Sequence, residues 1–315
     1  MISRSTTDLV SPRGGAPERR RRFRLGRRAG LAFWVAPALL LVGVFAIYPV
    51  AYSVYISFFK YKLTDPTKSQ TFVGFGNYLS ALADPSFVVA VRNSLAFVVG
   101  AVGVELLFGL ALAVLLNREL PGMALVRSIL IAPLTLTPLV VALVWGALYN
   151  ADFGPVSYYL KQLGFQLGRG PVGEPSLALA SLVVIDVWQW TPLMALLLFT
   201  GLRSQPLELH DAAQIDGASN WQRFLHVSLP LLRPTILVAL VIRTMDALKL
   251  FDSVFAITGG GPGRATEVVN YYIFKVGLTY FDIGYAAAMS NLLLIIIVVL
   301  SALYLRVLRT PGSAS

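Results

Sequence analysis

Beyond residue 28 the chain alternates long apolar runs with short polar ones. A helix that crosses the hydrocarbon core of a bilayer needs about 20 mostly apolar residues. Six segments meet that length: about 30–59, 88–117, 127–150, 177–202, 231–257 and 284–305. The first contains Pro37 and Pro49, which a spanning helix tolerates because its neighbours satisfy the freed backbone groups. Arg92 and Glu105 interrupt the second run and Asp186 the fourth, while nothing between Arg127 and Asp152 is charged. The segments between the runs carry helix-breaking pairs such as Asp65-Pro66, Gly76-Asn77, Gly170-Pro171 and Glu174-Pro175. The pattern predicts an all-α integral membrane protein with six transmembrane helices, no strand-rich domain and no internal repeat.

Composition supports this. Of 315 residues, 56% are hydrophobic and 13% charged, against about 25% charged in a soluble domain, and mean hydropathy is +0.70. Without cysteine there is no disulfide, thiolate nucleophile or Cys-type zinc site. The two histidines, His210 and His226, lack acidic partners at metal-ligand spacing and read as solvated polar residues.

The net charge of +10 suggests nucleic acid until its distribution is considered. Nine arginines fall in the first 28 residues, followed by a charge-free run from Ala29 to Phe59. That is a positive-inside anchor, not a nucleic-acid module. A secretory signal fits less well, since the run is too long and lacks an Ala-x-Ala site. Arg21-Arg22 before Phe23 faintly resembles a twin-arginine signal, but the same residues satisfy the topology rule. With the N-terminus inside, the inner segments hold fifteen Lys and Arg, including Arg118, Arg127, Arg203 and Arg223. The outer loops hold seven: Lys60, Lys62, Lys68, Lys161, Arg169, Arg264 and Lys275. Both termini are then cytoplasmic, as is the segment 203–230. The organisation is a basic tail over 1–28, a membrane domain over 29–310 and a short tail over 311–315.

The cytoplasmic segment has its own helical signals. Pro206 can open a helix, and Glu208 and Asp211 sit where the N-terminal dipole favours them. Gly217 ends or bends that helix. Ser219 or Asn220 can cap a second one, to which Trp221, Phe224 and Leu225 give an apolar face. Asp211-Ala212-Ala213, three residues, Gly217, nine residues and Val227-Ser228-Leu229-Pro230 form a fixed spacing in this loop.

That spacing closely resembles the EAA loop of ATP-binding-cassette importer permeases, with Asp211 in place of Glu and Val227 in place of Ile. Ala36-Pro37 with Tyr48-Pro49, Phe75-Gly76-Asn77-Tyr78, and Phe251-Asp252-Ser253-Val254-Phe255 leading to Thr258-Gly259-Gly260-Gly261-Pro262 are similar to the carbohydrate branch. This branch contains the maltose, trehalose and glycerol-phosphate permeases. The resemblance implies a six-span permease core in a bacterial inner (plasma) membrane, with a coupling helix between spans four and five. It implies a transport subunit and not an enzyme. ATP and Mg would be bound by two partner ATPase subunits, and no cofactor by this chain. A second homologous permease and an extracytoplasmic sugar-binding protein would complete the assembly. The loop would dock into the ATPase through Glu208, Asp211, Ala212, Ala213, Asp216 and Gly217, and closure on ATP would shift the spans between two states. Residues 259–266 carry four glycines but lack the Gly-Lys pair of a phosphate loop and follow no strand. They read as a packing turn.

Ionisable residues at membrane depth are functional candidates. Arg243, Asp246, Lys249 and Asp252 recur every third residue with alternating sign. They suit either a self-neutralising ladder or a pathway face. The resemblance places Arg243, Asp246, Ala247 and Leu250 where maltose-type permeases bind sugar, and puts Trp190 near an aromatic site position. The charges leave an anionic substrate open. Asp186 with Trp188, Gln189 and Trp190 suits a sugar, or simple helix packing. Glu105 is placed to pair with Arg243 or Lys249. Ser290 and Asn291 are weaker pathway candidates. The competing functions are an ion-coupled secondary transporter using the charged fifth span, and an importer of a phosphorylated polyol such as glycerol phosphate. An intramembrane enzyme would need a nucleophile–base pair or metal cluster, and the sequence offers neither.

Overall fold

The computed structural model describes residues 34–67, 70–118, 121–165 and 167–309. The basic tail over 1–28, the start of the first run, Lys68 and the tail 311–315 lie outside these residues. The chain divides into one unit ending at Ser53 and another from Val54 onward.

Among the described residues, five helices are long and apolar enough to cross a membrane. They are α1 (Trp34–Ile56), α3 (Pro85–Leu116), α7 (Pro175–Arg203), α9 (Asn220–Ala247) and α11, which runs Ile283–Arg309 and qualifies over Ile283–Tyr304. Shorter helices lie between them: α2 (Gly76–Ala83), α4 (Met123–Ile131), α5 (Pro138–Leu148), α6 (Pro155–Gln162), α8 (Leu207–Ile215) and α10 (Val269–Phe274). Among the described residues the extended structure is one two-residue ribbon, Phe59–Lys60 against Thr71–Phe72, in keeping with the expected lack of a strand-rich domain.

Two runs differ from the expected continuous spans. The third is broken: Leu125–Thr135 and Pro138–Leu148 meet at 96°. Leu136 and Thr137 are extended, with ψ of 139° and 145°, because a residue before proline is driven from the helical region and Pro138 opens the next helix. The break leaves carbonyls without intrahelical donors, and Gln189 Nε2 donates to Leu136 O at 3.2 Å. The fifth helix begins at Asn220 rather than near 231 and ends at Ala247 rather than 257. Pro230 and Pro234 fit inside it, Pro230 helped by the wider turn at Phe224–Ser228.

Within the second unit, α3 and α7 make the most extensive helix pair. Gly109 packs directly on α7: a Cβ there would lie 2.6 Å from Met194 Cγ. Phe97, Ala101, Leu182, Ile185, Met194 and Leu198 fill the seam and are essentially buried. A second cluster joins Ala81, Phe87, Val269, Tyr272, Met289 and Leu293 from α2, α3, α10 and α11.

The turn at 258–266 packs as expected. Gly259, Gly260 and Gly263 adopt left-handed φ of 57°, 83° and 62°. Asn93 Nδ2 on α3 donates to Arg264 O at 2.8 Å and Glu267 O at 3.1 Å, and Val269 N donates to Ser94 Oγ at 3.0 Å.

Candidate substrate pocket and loop helix

Three long helices each bring an ionisable residue to one point. Glu105 lies on α3, Asp186 on α7 and Arg243 near the end of α9. Arg243 Nε and Nη2 donate to the two Glu105 carboxylate oxygens at 2.7 and 2.8 Å. Arg243 Nη2 also donates to Asp186 Oδ2 at 2.8 Å, and Nη1 to Asp246 Oδ2 at 2.5 Å. The guanidinium carbon lies 4.9 Å from the centroid of the Trp190 ring. Arg243 and Glu105 are fully buried, whereas Asp186 and Asp246 keep 12% and 48% of their side-chain surface. Removing one such charge strands the other in a poor solvent, so the two-pronged contact ties α9 to α3 firmly. Asp186 adds α7.

Above this cluster opens a pocket of about 210 Å³. Asp186, Gln189 and Trp190 form one wall, Pro138 at the helix break another, and the chain from Asp246 to Ser253 a third. Polar groups from three elements thus meet at a broken helix, a place where freed backbone and side-chain acceptors line a cavity. Of the expected pathway residues, Asp186, Trp190, Asp246, Ala247, Lys249 and Leu250 line the pocket. Arg243 and Glu105 lie beneath it and touch one another, which resolves the open pairing of Glu105. Asn291 is elsewhere: its Nδ2 donates to Tyr78 Oη at 3.2 Å, and Tyr78 Oη shares a 2.7 Å hydrogen bond with Ser57 Oγ. It joins α11 to α2, not to the pocket.

The alternating ladder forms only at its first rung. Because α9 stops at Ala247, Lys249 and Asp252 fall off the helix face. Among the described residues neither has an ion pair. Phe251 and Ser253 also line the pocket. Sequence reasoning passed over them as pocket residues because their contribution depends on the chain turning after Ala247.

The loop between α7 and α9 is built as a hinged pair. Pro206 caps α8 from outside it, with ψ of 126°, and so sits one residue earlier than the first helical position expected of it. Ala218 N donates to Ala213 O at 3.0 Å and Gly217 N to Gln214 O at 3.1 Å. This is the double bond of a Schellman turn, with Gly217 left-handed at φ 81°. Ser219 then caps α9 reciprocally: Gln222 N donates to Ser219 Oγ at 3.3 Å and Ser219 N to Gln222 Oε1 at 2.8 Å. Gln205 Nε2 donates to Ser228 O at 2.8 Å and Gln205 Oε1 lies 3.0 Å from His210 Nε2, fastening α8 to the start of the fifth span. Glu208 and Asp211 to Ala213 lie on α8, and Asp216 is its C-cap. Leu207, Ile215 and Trp221 are 76%, 86% and 66% exposed.

Comparison with known proteins gives a consistent result. Residues 105–310 match the family model described as "Binding-protein-dependent transport system inner membrane component". The chain is 39% identical over 301 residues to a probable ABC transporter permease protein, y4oQ, of Sinorhizobium fredii, covering 94% of this chain and 95% of that one. It is 37% identical over 287 residues to the trehalose/maltose transport system permease protein MalF of Thermococcus litoralis, covering 90% and 95%. Among solved structures, a bacterial ABC transporter involved in the import of the acidic polysaccharide alginate superposes with a TM-score of 0.77 at 21% identity, covering 93% of this chain and all of that one. At that identity the likeness concerns the fold.

Proposed function

Since the chain belongs to the binding-protein-dependent transport system inner membrane components, it is a multi-pass inner-membrane permease subunit and not an enzyme, and we propose that it serves an ATP-driven importer of sugars. The relatives named for trehalose and maltose transport support the substrate class. So does the pocket, which combines an indole with several hydrogen-bond acceptors.

The observation that carries the reading is the exposed unit of α8, Gly217 and the start of α9. It presents Leu207, Ile215 and Trp221 beside Glu208, Asp211 and Asp216 on a loop whose turn and cap are internally satisfied. Such a unit is rigid enough to transmit a push, and its small Ala212 and Ala213 leave room for a cleft to close around it. We assign it to docking in a separate ATPase, with ATP and Mg bound there and not in this chain.

Six spans with both termini cytoplasmic fit the way the loops sort. Arg127 and Arg203, both assigned inside, flank the Phe199 ring at 4.8 and 5.7 Å. Lys62 and Asp282, both outside, lie 3.9 Å apart, and Arg264 Nη1 donates to Ser86 Oγ at 2.6 Å. The broken pair α4–α5 then counts as the third span. The domain extends over 29–310, with the basic tail before it holding the N-terminus inside. A pocket of about 210 Å³ falls below the roughly 300 Å³ at which sites enclose ligands of drug size. That is expected if a second homologous permease supplies the facing wall. An extracytoplasmic binding protein delivers the sugar.

Purification of the chain with its ATPase, followed by measurement of ATP hydrolysis with sugar and receptor, tests the reading. Sugar- and receptor-dependent stimulation is expected. Transport that persists without any ATPase, driven by an ion gradient, would replace it with the secondary transporter.

A further inference from the structure

Resting on the sugar-importer reading, we infer that the pocket at the end of α9 is a charge filter that admits uncharged polyhydroxylated substrates and turns away acidic ones, with Asp246 as its specificity-determining residue. The fifth span carries an arginine, and an arginine in a pathway would ordinarily suggest a clamp for a carboxylate, phosphate or sulfonate. Here that clamp is already filled. A guanidinium has five N–H groups, and Arg243 makes four hydrogen bonds, two to Glu105 and one each to Asp186 and Asp246. Trp190 covers its face at 4.9 Å, and no part of the side chain is exposed. A substrate anion coming from the pocket would have to displace Asp246 or Asp186, both paired with Arg243, to reach it.

What the pocket does present is acceptors. Asp186, Asp246 and Asp252 line it, against Lys249 as the one lining cation among the described residues. Asp246 is half exposed and gives only Oδ2 to Arg243, leaving Oδ1 for a ligand. Gln189 gives one Nε2 hydrogen to Leu136 O, and its Oε1 is a further acceptor. Hydroxyl groups donate to such a wall without bringing charge. A phosphate or uronate would meet three carboxylates with one lysine to offset them, in a place where charges are poorly screened.

The test is equilibrium binding of radiolabelled probes to the complete transporter, with its ATPase and second permease, in lipid nanodiscs. Matched pairs are compared: trehalose with trehalose 6-phosphate, and glycerol with glycerol 3-phosphate. The neutral member of whichever pair binds is expected to be preferred by about tenfold or more. Asp246→Asn keeps the side-chain volume and leaves Arg243 held by Glu105 and Asp186, and it should narrow that ratio several-fold. Asp252→Asn removes no ion pair seen among the described residues and should narrow it as well, so a folding defect in the first variant does not decide the matter. Equal or tighter binding of the acidic member, or a ratio unmoved by both variants, overturns the filter alone. Binding of neither member of either pair overturns the sugar-importer reading and the filter with it.

Discussion

Glu105 grips Arg243 with both carboxylate oxygens, at 2.7 and 2.8 Å, from a position 138 residues earlier in the chain. Each is fully buried, so each is the other's principal source of solvation. The contact closes the space between α3 and α9, and Asp186 extends the closure to α7.

Glu105→Ala should therefore destabilise the protein by about 1–3 kcal/mol, since it removes two of the four hydrogen bonds on a buried guanidinium and leaves Asp186 and Asp246 as its counter-charges. Adding Arg243→Met removes the buried cation but takes from Asp186 its ion-pair partner, so the double variant should recover only part of the loss. Thermal unfolding of the purified single and double variants measures both. A single variant as stable as the parent would show that the pair is not closed in the membrane.

Gly217 has no atom within 4 Å of where a Cβ would stand, but its φ is 81°. A substitution there acts through the backbone alone. Valine should cost about 1–2 kcal/mol locally and loosen the turn without touching the pocket. The complex should still assemble and hydrolyse ATP at its basal rate while sugar uptake per ATP falls. Asparagine, which tolerates the left-handed region, should be milder. Uptake and stimulated hydrolysis measured on the same vesicles check this, and unchanged coupling in the valine variant would remove the docking assignment from the turn.

Gly109 sets the α3–α7 distance, with Met194 Cγ and Cβ 2.6 and 2.9 Å from a modest side chain's first atom. Gly109→Ala should lower stability by about 1–3 kcal/mol through overpacking, and Gly109→Val by more. Met194→Ala in the same chain should relieve the alanine variant in part, as read from unfolding temperatures.

Asp84 caps α3 and accepts hydrogen bonds from Tyr272 Oη at 2.6 Å, Ser86 N at 2.8 Å and Tyr285 Oη at 3.0 Å. Burial pushes its pKa up, but those donors outweigh it and hold the carboxyl below its ordinary value of 3.8. A depressed folded pKa means the stabilisation is whole above the ordinary carboxylate range. It is lost as pH falls from there through the folded value. Asp84→Asn should flatten that acid limb, seen in unfolding temperature against pH between about 5 and 3.

Apolar run lengths made most of the helices legible, since composition alone decides where a chain can sit in lipid. The break at Leu136-Thr137 was not, because no charged residue interrupts the run across it. The prolines that cause the break also occur inside unbroken α7 and α9, at Pro192 and Pro234. Spacing on one helix suggested that Arg243 pairs along α9. It does reach Asp246, but its strongest partners come from α3 and α7, and contacts across helices leave no periodic trace. Asn291 looked like a pathway group because it is polar within a span, yet its amide is spent on the Tyr78 hydroxyl of α2. The turn and cap of the loop, by contrast, were readable from Gly217 and Ser219, since both obey rules local to a few residues.

The unbroken run of α9 makes it a lever. Its 28 residues reach about 42 Å at 1.5 Å per residue, of which about 36 Å separate the cap at Ser219 from Arg243, whose guanidinium α3 and α7 hold. Tilting such a rod by about 6° about its loop end carries the far end roughly 4 Å, more than the length of any ion pair there. A rotation too small to notice at the loop is thus enough to open the grip of Glu105, unless α3 swings with it.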